Sequence, residues 1–220
     1  MPVNEKTFLE LTTELQSNQV TLVAVSKTKP VSEIRELYHL GQRDFGENYV
    51  QELAEKQSQL PPDIRWHFIG HLQSNKARFI VPFVHLIHGV DSFKLLKEIS
   101  KQASKISREV NCLLQVHIAE EETKFGFDEA ELAFAMKEIS QNGIQNIKVR
   151  GLMGMASFTD DIIKVRSEFA RLKKLFDVYA GNQFDTLSMG MSGDFEEAIA
   201  DGSTMVRIGS LLFGARDYIV

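Results

Sequence analysis

The chain has 220 residues, 43% of them hydrophobic, and carries a net charge of −5. That length holds a full core without staples and suits one large domain or two small ones. The acidic balance speaks against nucleic-acid binding, which needs a basic footprint, but leaves room for one phosphate on a few backbone amides.

The N-terminus, MPVNEKTFLELTTEL, has no apolar stretch of signal-peptide length, and no later run approaches a membrane span. A cytoplasmic protein with no membrane contact is expected. Residues 4 to 18 carry Phe8, Leu11 and Leu15 on one stripe and predict an amphipathic helix. TLVAVSKTKP, residues 21 to 30, follows. Val23 and Val25 suit a buried strand, Pro30 ends the pairing, and Lys27 shares the face of the two valines. An ammonium at the mouth of an apolar space loses solvation, so its pKa falls and the amine can attack a carbonyl. The competing reading is an ordinary charged residue at a strand end.

A helix is expected from Ser32, as N-cap, to Leu40, closed by Gly41. RDFGE is a short second strand, with a helix from about Tyr49 to Ser58 that Pro61-Pro62 ends. WHFIG is a third strand, with a helix through residues 74 to 80. HLIHGV is a fourth, and its helix opens at Ser92 and runs to about Arg108. CLLQVHI is the fifth, with a helix from near Asp128. It holds the single cysteine, Cys112, which reads as a buried hydrophobe in a reducing compartment. KVRGLMGM is the sixth, with a helix from about Asp160 to Val178. DTLSMGM is the seventh, with a short helix from near Asp194, and TMVRIGSLLFG is the eighth.

Eight strands alternating with helices imply parallel pairing through crossovers. We therefore expect an α/β chain forming one domain over residues 1–220: a single (β/α)8 TIM barrel with an extra N-terminal helix. An open doubly wound sheet is the alternative, weakened because no G-x-G-x-x-G turn follows the first strand. In a barrel, function gathers at the carboxyl ends of the strands. Lys27, Glu47-Asn48, Gly70-His71, Asp91, Ser188 to Ser192 and Gly209-Ser210 all fall there.

SMGMSGDFEEAI and RIGSLL both run from a strand through glycine and serine into a helix start. Gly190, Ser192, Gly209 and Ser210 are therefore candidates for a phosphate cup on adjacent loops. Tight turns and caps are the plainer explanation. Arg207, between Val206 and Ile208, must be paired inside its strand, either at the cavity of Lys27 or to an inward carboxylate. His67 and His71 stand four apart, yet no third metal ligand can be placed, and no metal is expected. His71 reads as a rim residue, while His67, His85, His88 and His117 read as satisfied strand residues. Glu120, Glu121 and Glu122 read as a solvated loop. A strand-end lysine with a phosphate cup points to a bound aldehyde carrying a phosphate. Pyridoxal 5′-phosphate fits, and a class I aldolase acting on a sugar phosphate competes.

On VAVSKTKP, FGENYVQE, WHFIGHLQSNK, ETKFGF, GLMGMA, SMGMSGDFEEAI and GSTMVRIGSLLFGARDY, in this order, the chain resembles the pyridoxal phosphate homeostasis proteins. The resemblance implies a barrel like the N-terminal domain of alanine racemase. It implies Lys27 as the Schiff-base residue, Arg207 facing the pyridine nitrogen, and Ser192, Gly209 and Ser210 near the phosphate; Asn48, a rim residue at its strand end, is counted with the cofactor-binding residues. It further implies a role in vitamin B6 homeostasis and cofactor supply without catalytic turnover. Apo pyridoxal phosphate-dependent enzymes are the implied partners. No heptad or leftover apolar stripe marks an interface, and a monomer is expected. The chain departs from the family at His117, where asparagine is usual, and at Phe125, where a small residue is common. A secondary cofactor contact at Lys124 stays open for that reason. The alternative function is a pyridoxal phosphate-dependent amino-acid racemase. That chemistry needs a proton donor on each face of the cofactor, and alanine racemases draw the second from a further domain. The chain, ending at Val220, is expected to lack one. Tyr49, beside Asn48, is the one internal candidate.

Overall fold

Side chains alternate along β1 (Thr21–Val25), and the two faces meet different surroundings. Leu22 and Ala24 pack outward into the layer under the helices, while Val23 points into a separate inner cluster with Leu86, Leu113, Met153 and Met205. Seven further strands repeat the pattern in the computed structural model, which describes residues 3–121, 125–181 and 183–214. They are β2 (Asp44–Glu47), β3 (Arg65–Phe68), β4 (Leu86–Val90), β5 (Val110–Gln115), β6 (Ile147–Met153), β7 (Thr186–Met191) and β8 (Met205–Ile208). Neighbours pair in parallel in chain order, and β8 closes on β1 with Val23 opposite Arg207. The result is the expected (β/α)8 TIM barrel with a helix in front.

That leading helix is α1 (Glu5–Ser17). The crossovers are α2 (Val31–His39), α3 (Val50–Gln59), a 3-10 turn at Ser74–Lys76 running into α4 (Ala77–Ile80), α5 (Phe93–Ser104), α6 (Glu129–Asn142), α7 (Ile162–Tyr179) and α8 (Phe195–Ala200). A last turn, α9 (Ser210–Phe213), follows β8. Local chemistry fixes several starts. Ser92 accepts from Leu95 N at 3.3 Å, and Asp128 with Glu131 forms a reciprocal capping box. Ser32 is not a cap. The N-cap position lies two residues earlier than expected, at Pro30 and with no side-chain cap bond, so Ser32 lies in the first turn.

Two expected strands are shorter than their apolar runs. β5 stops at Gln115, after which Val116 bridges to Phe127 and leaves His117 in the loop. β8 stops at Ile208, and Leu212 and Phe213 are buried instead by coiling into α9, where Leu212 O accepts from Asn4 N at 2.9 Å. An apolar run can serve a strand or a short helix, and periodicity does not separate them. Cys112 is fully buried and burial pushes its thiol up, as befits a hydrophobe. Among the described residues no helix is long and apolar enough to cross a membrane.

Candidate functional site

β1 ends at Val25, so Lys27 stands in the turn beyond the strand rather than on it. Strand alternation still sets its direction, because Val25 and Lys27 line the same cleft of about 770 Å³ at the carboxyl ends of the strands. The cleft brings together all six expected residues: Lys27, Asn48, Ser192, Arg207, Gly209 and Ser210. Gly190 is not among its walls. It is buried at φ +95 against α8, where an added Cβ would stand 2.6 Å from the Ala198 Cβ, so its role is close packing.

The β7 and β8 loops already touch, since Gly209 N donates to Ser192 Oγ at 3.2 Å. A Cβ on Gly209 would come within 3.2 Å of Val25 O, which is why the backbone can approach so closely there. Across the cleft, Asn48 Oδ1 is buried with no hydrogen-bond partner among the described residues. An orphaned acceptor and a glycine-lined cradle on one cleft are what a polar ligand would complete.

Beneath the Lys27 turn lies an ion cluster that sequence reasoning missed. Lys56 Nζ donates to Glu47 Oε1, Glu52 Oε1 and Ser26 O, each at 2.7 Å. Glu52 Oε1 also accepts from Thr28 N, and Ser26 Oγ donates to Glu47 Oε1, both at 2.6 Å. The residues on either side of Lys27 are thereby tied to α3, with Thr28 in the left-handed region at φ 65. Glu47 was expected on the rim and is instead fully buried; burial raises its carboxyl, and the Lys56 charge opposes that. The sequence signal was there: Val50, Leu53 and Lys56 share the buried stripe of α3, an unusual place for a lysine.

Arg207 is buried, and its nitrogens meet Ser188 Oγ at 2.6 Å and Gly154 O at 3.0 Å, neither of them a carboxylate. Burial lowers its pKa to about 10, which keeps it charged at neutral pH. From Ser188 a chain of buried groups continues along the barrel axis. Ser188 Oγ lies 3.2 Å from His88 Nδ1, His88 Nε2 lies 2.9 Å from His67 Nδ1, and His67 Nε2 lies 3.0 Å from Asp44 Oδ1. Arg65 closes the chain with a bidentate grip on Asp44. Burial alone would raise the Asp44 carboxyl; hydrogen bonds from Arg65 and His67 outweigh it and bring the pKa to about 2. Burial holds His88 well below the usual imidazole range, and the Arg207 guanidinium acts in the same direction. His67 and His88 are satisfied, as expected, but satisfied by each other.

The far end of this chain opens on a recess of about 220 Å³ at the amino-terminal mouth of the barrel, with His85 and Arg150 in its walls. Asp44, His67 and His85 come close enough to hold a metal ion by distance. Both Asp44 oxygens are already taken by Arg65 and His67, and two guanidiniums share the recess, so these groups are accounted for without one.

At the active rim, His71 Nδ1 lies 2.8 Å from Asp91 Oδ2 and its ring stacks on Phe125 at 4.0 Å, outside the cleft. Lys124 and Glu122 lie outside the described residues. His117 Nε2 meets Glu121 O at 3.0 Å, and Glu120 pairs with Lys164 at 2.5 Å.

The family profile described as "Alanine racemase, N-terminal domain" matches residues 8–217. The pyridoxal phosphate homeostasis protein of Pseudomonas aeruginosa is 44% identical over 201 residues, covering 90% of this chain and 86% of that one. PipY of Synechococcus elongatus, solved without PLP, is 38% identical with a TM-score of 0.89, covering 96% of this chain and 99% of that one. The same protein with PLP bound gives 37% and 0.86, with the same coverage. Alanine racemase of Bartonella henselae, 15% identical with a TM-score of 0.71 over 62% of its chain, is alike in fold alone.

Proposed function

This chain belongs to the pyridoxal phosphate homeostasis proteins, within the alanine racemase N-terminal domain family, and on that premise we propose that it binds pyridoxal 5′-phosphate in the cleft of Lys27 and Arg207. The observation that carries the reading is that one cleft holds an amine, a guanidinium, a glycine-and-serine cradle and the orphaned Asn48 oxygen. Bound pyridoxal phosphate supplies an aldehyde, a phosphate and a pyridine ring able to act as an electron sink.

Lys27 is the amine that would hold the aldehyde. Ser192, Gly209 and Ser210 would hold the phosphate, and Asn48 would orient the ring edge. Arg207 would donate to the ring nitrogen and, holding its own proton, would leave that nitrogen unprotonated. An unprotonated ring is a poor sink for a carbanion. The same residues therefore suit retention of the cofactor better than turnover, and we assign the protein to vitamin B6 homeostasis in the cytoplasm, as a monomer supplying apo enzymes. Titration of the apo protein with pyridoxal phosphate, followed by absorbance, tests this. Wild type should saturate with a violet-region band, and Lys27→Ala should bind more weakly and without it. A Lys27→Ala protein with the wild-type band would overturn the assignment.

A further inference from the structure

We infer that Ser188, His88, His67 and Asp44 form a directed hydrogen-bond relay that positions Arg207 from the opposite mouth of the barrel. The inference rests on the reading that Arg207 faces the cofactor ring. Its direction follows from the two ends. A guanidinium only donates, so Ser188 Oγ accepts from Arg207. An ionised carboxylate only accepts, so His67 donates from Nε2 to Asp44. A neutral His67 then has a bare Nδ1, which must accept from His88 Nε2–H. His88 is left with a bare Nδ1, and the Ser188 hydroxyl donates to it. With His67 neutral, each link follows from the one before, and both imidazoles are then Nε2–H tautomers.

The strands explain how the chain spans the fold. Asp44, His67 and His88 stand on the consecutive strands β2, β3 and β4, and Ser188 and Arg207 on the neighbours β7 and β8. All five are buried, and they occupy the barrel interior alongside the small apolar cluster around Val23. A serine that donates its hydrogen onward is a stronger acceptor for the guanidinium, because hydrogen bonds in series polarise one another. A proton added to His67 would turn His67 Nδ1 and His88 Nδ1 into donors and reverse the chain as far as Ser188, with no heavy atom moving. The titratable and charged groups that face His67 are Asp44 on β2, Arg65 on β3, His85 ahead of β4, His88 on β4 and Arg150 on β6. Ser188 and His88 are thus positioning residues for Arg207, and the mouth of the barrel is coupled to the cleft.

Histidine ¹H–¹⁵N NMR on the unmodified protein near neutral pH is the test. Without cofactor, His67 and His88 should both carry their proton on Nε2. Adding pyridoxal phosphate should shift the His67 ring signals, although His67 does not line the cleft. In Ser188→Ala that shift should vanish, and cofactor affinity should fall about tenfold. A His88 proton on Nδ1, or His67 signals unmoved by bound cofactor in the wild type, would overturn the relay, and neither result depends on the variant folding. Failure of the wild type to bind pyridoxal phosphate would instead sink the reading of the cleft, while the tautomers would still decide the relay.

Discussion

A guanidinium in a barrel interior is costly unless its hydrogens are used, and Arg207 uses its own on both sides. Ser188 and Gly154 take two N–H groups, and the residue lines the cleft. The same logic, of groups that only donate or only accept, gives two predictions for single residues. Ser192→Ala removes a hydroxyl beside the phosphate position, and a hydrogen bond to a charged group contributes roughly 1.5–3 kcal/mol. Cofactor affinity should fall by about tenfold or somewhat more while the covalent link still forms; equilibrium dialysis and absorbance check the two parts separately. Asp44, with its pKa depressed to about 2, should contribute stability that is complete above about pH 4 and lost as pH falls towards 2. The shift corresponds to something on the order of 2 kcal/mol. In Asp44→Asn the acid-unfolding profile should lose that component, and an unchanged profile would show that Asp44 does not titrate as described. At this scale the sequence was informative for Lys27 and Arg207, because a charge inside an apolar run stands out. It was uninformative for His88 and Ser188, whose partners lie 21 and 100 residues away along the chain.

Strands and helices impose their own requirements on the turns that carry the site. The β1–α2 turn holds Lys27 because α3 grips the residues beside it through Lys56 and Glu52. Lys56→Met should leave Glu47 buried and unpaired, at a cost of about 3–5 kcal/mol. Urea unfolding should show that loss, and the double variant with Glu47→Gln should recover part of it. The β7–α8 turn depends on Gly190, where a methyl group would meet α8 in a backbone conformation that alanine resists. Gly190→Ala should cost roughly 2–4 kcal/mol in the same measurement. The existence and order of these elements could be read from apolar periodicity and punctuation. Their ends could not: LLFG looks as much like strand as helix, and only docking of Leu212 near α1 decides it. Ser32 misled for a related reason. Pro30 presets its own φ, and the helix starts from it.

At the scale of the whole molecule, the barrel has a polar axis joining two mouths, one holding the candidate cofactor cleft and the other a guanidinium-lined recess. The barrel and the carboxyl-end site were legible because eight alternations leave little other architecture. The axis was not, because closing a barrel brings β2 to β4 against β7 and β8 only after every pairing has formed. Tyr49, the one internal candidate for a second base, is exposed on the rim before α3 and does not line the cleft. Solvent-deuterium exchange at the α-carbon of L-alanine should accordingly show no turnover typical of an enzyme. Multiple turnovers per second that vanish in Tyr49→Phe would establish a racemase. The account turns on Lys27, and borohydride reduction of the pyridoxal phosphate-loaded protein followed by peptide mapping addresses it most directly. The label should fall on the peptide containing Lys27, and should be absent from Lys27→Ala. A label mainly on Lys29, Lys76 or Lys124, or none on the loaded protein, would contradict it.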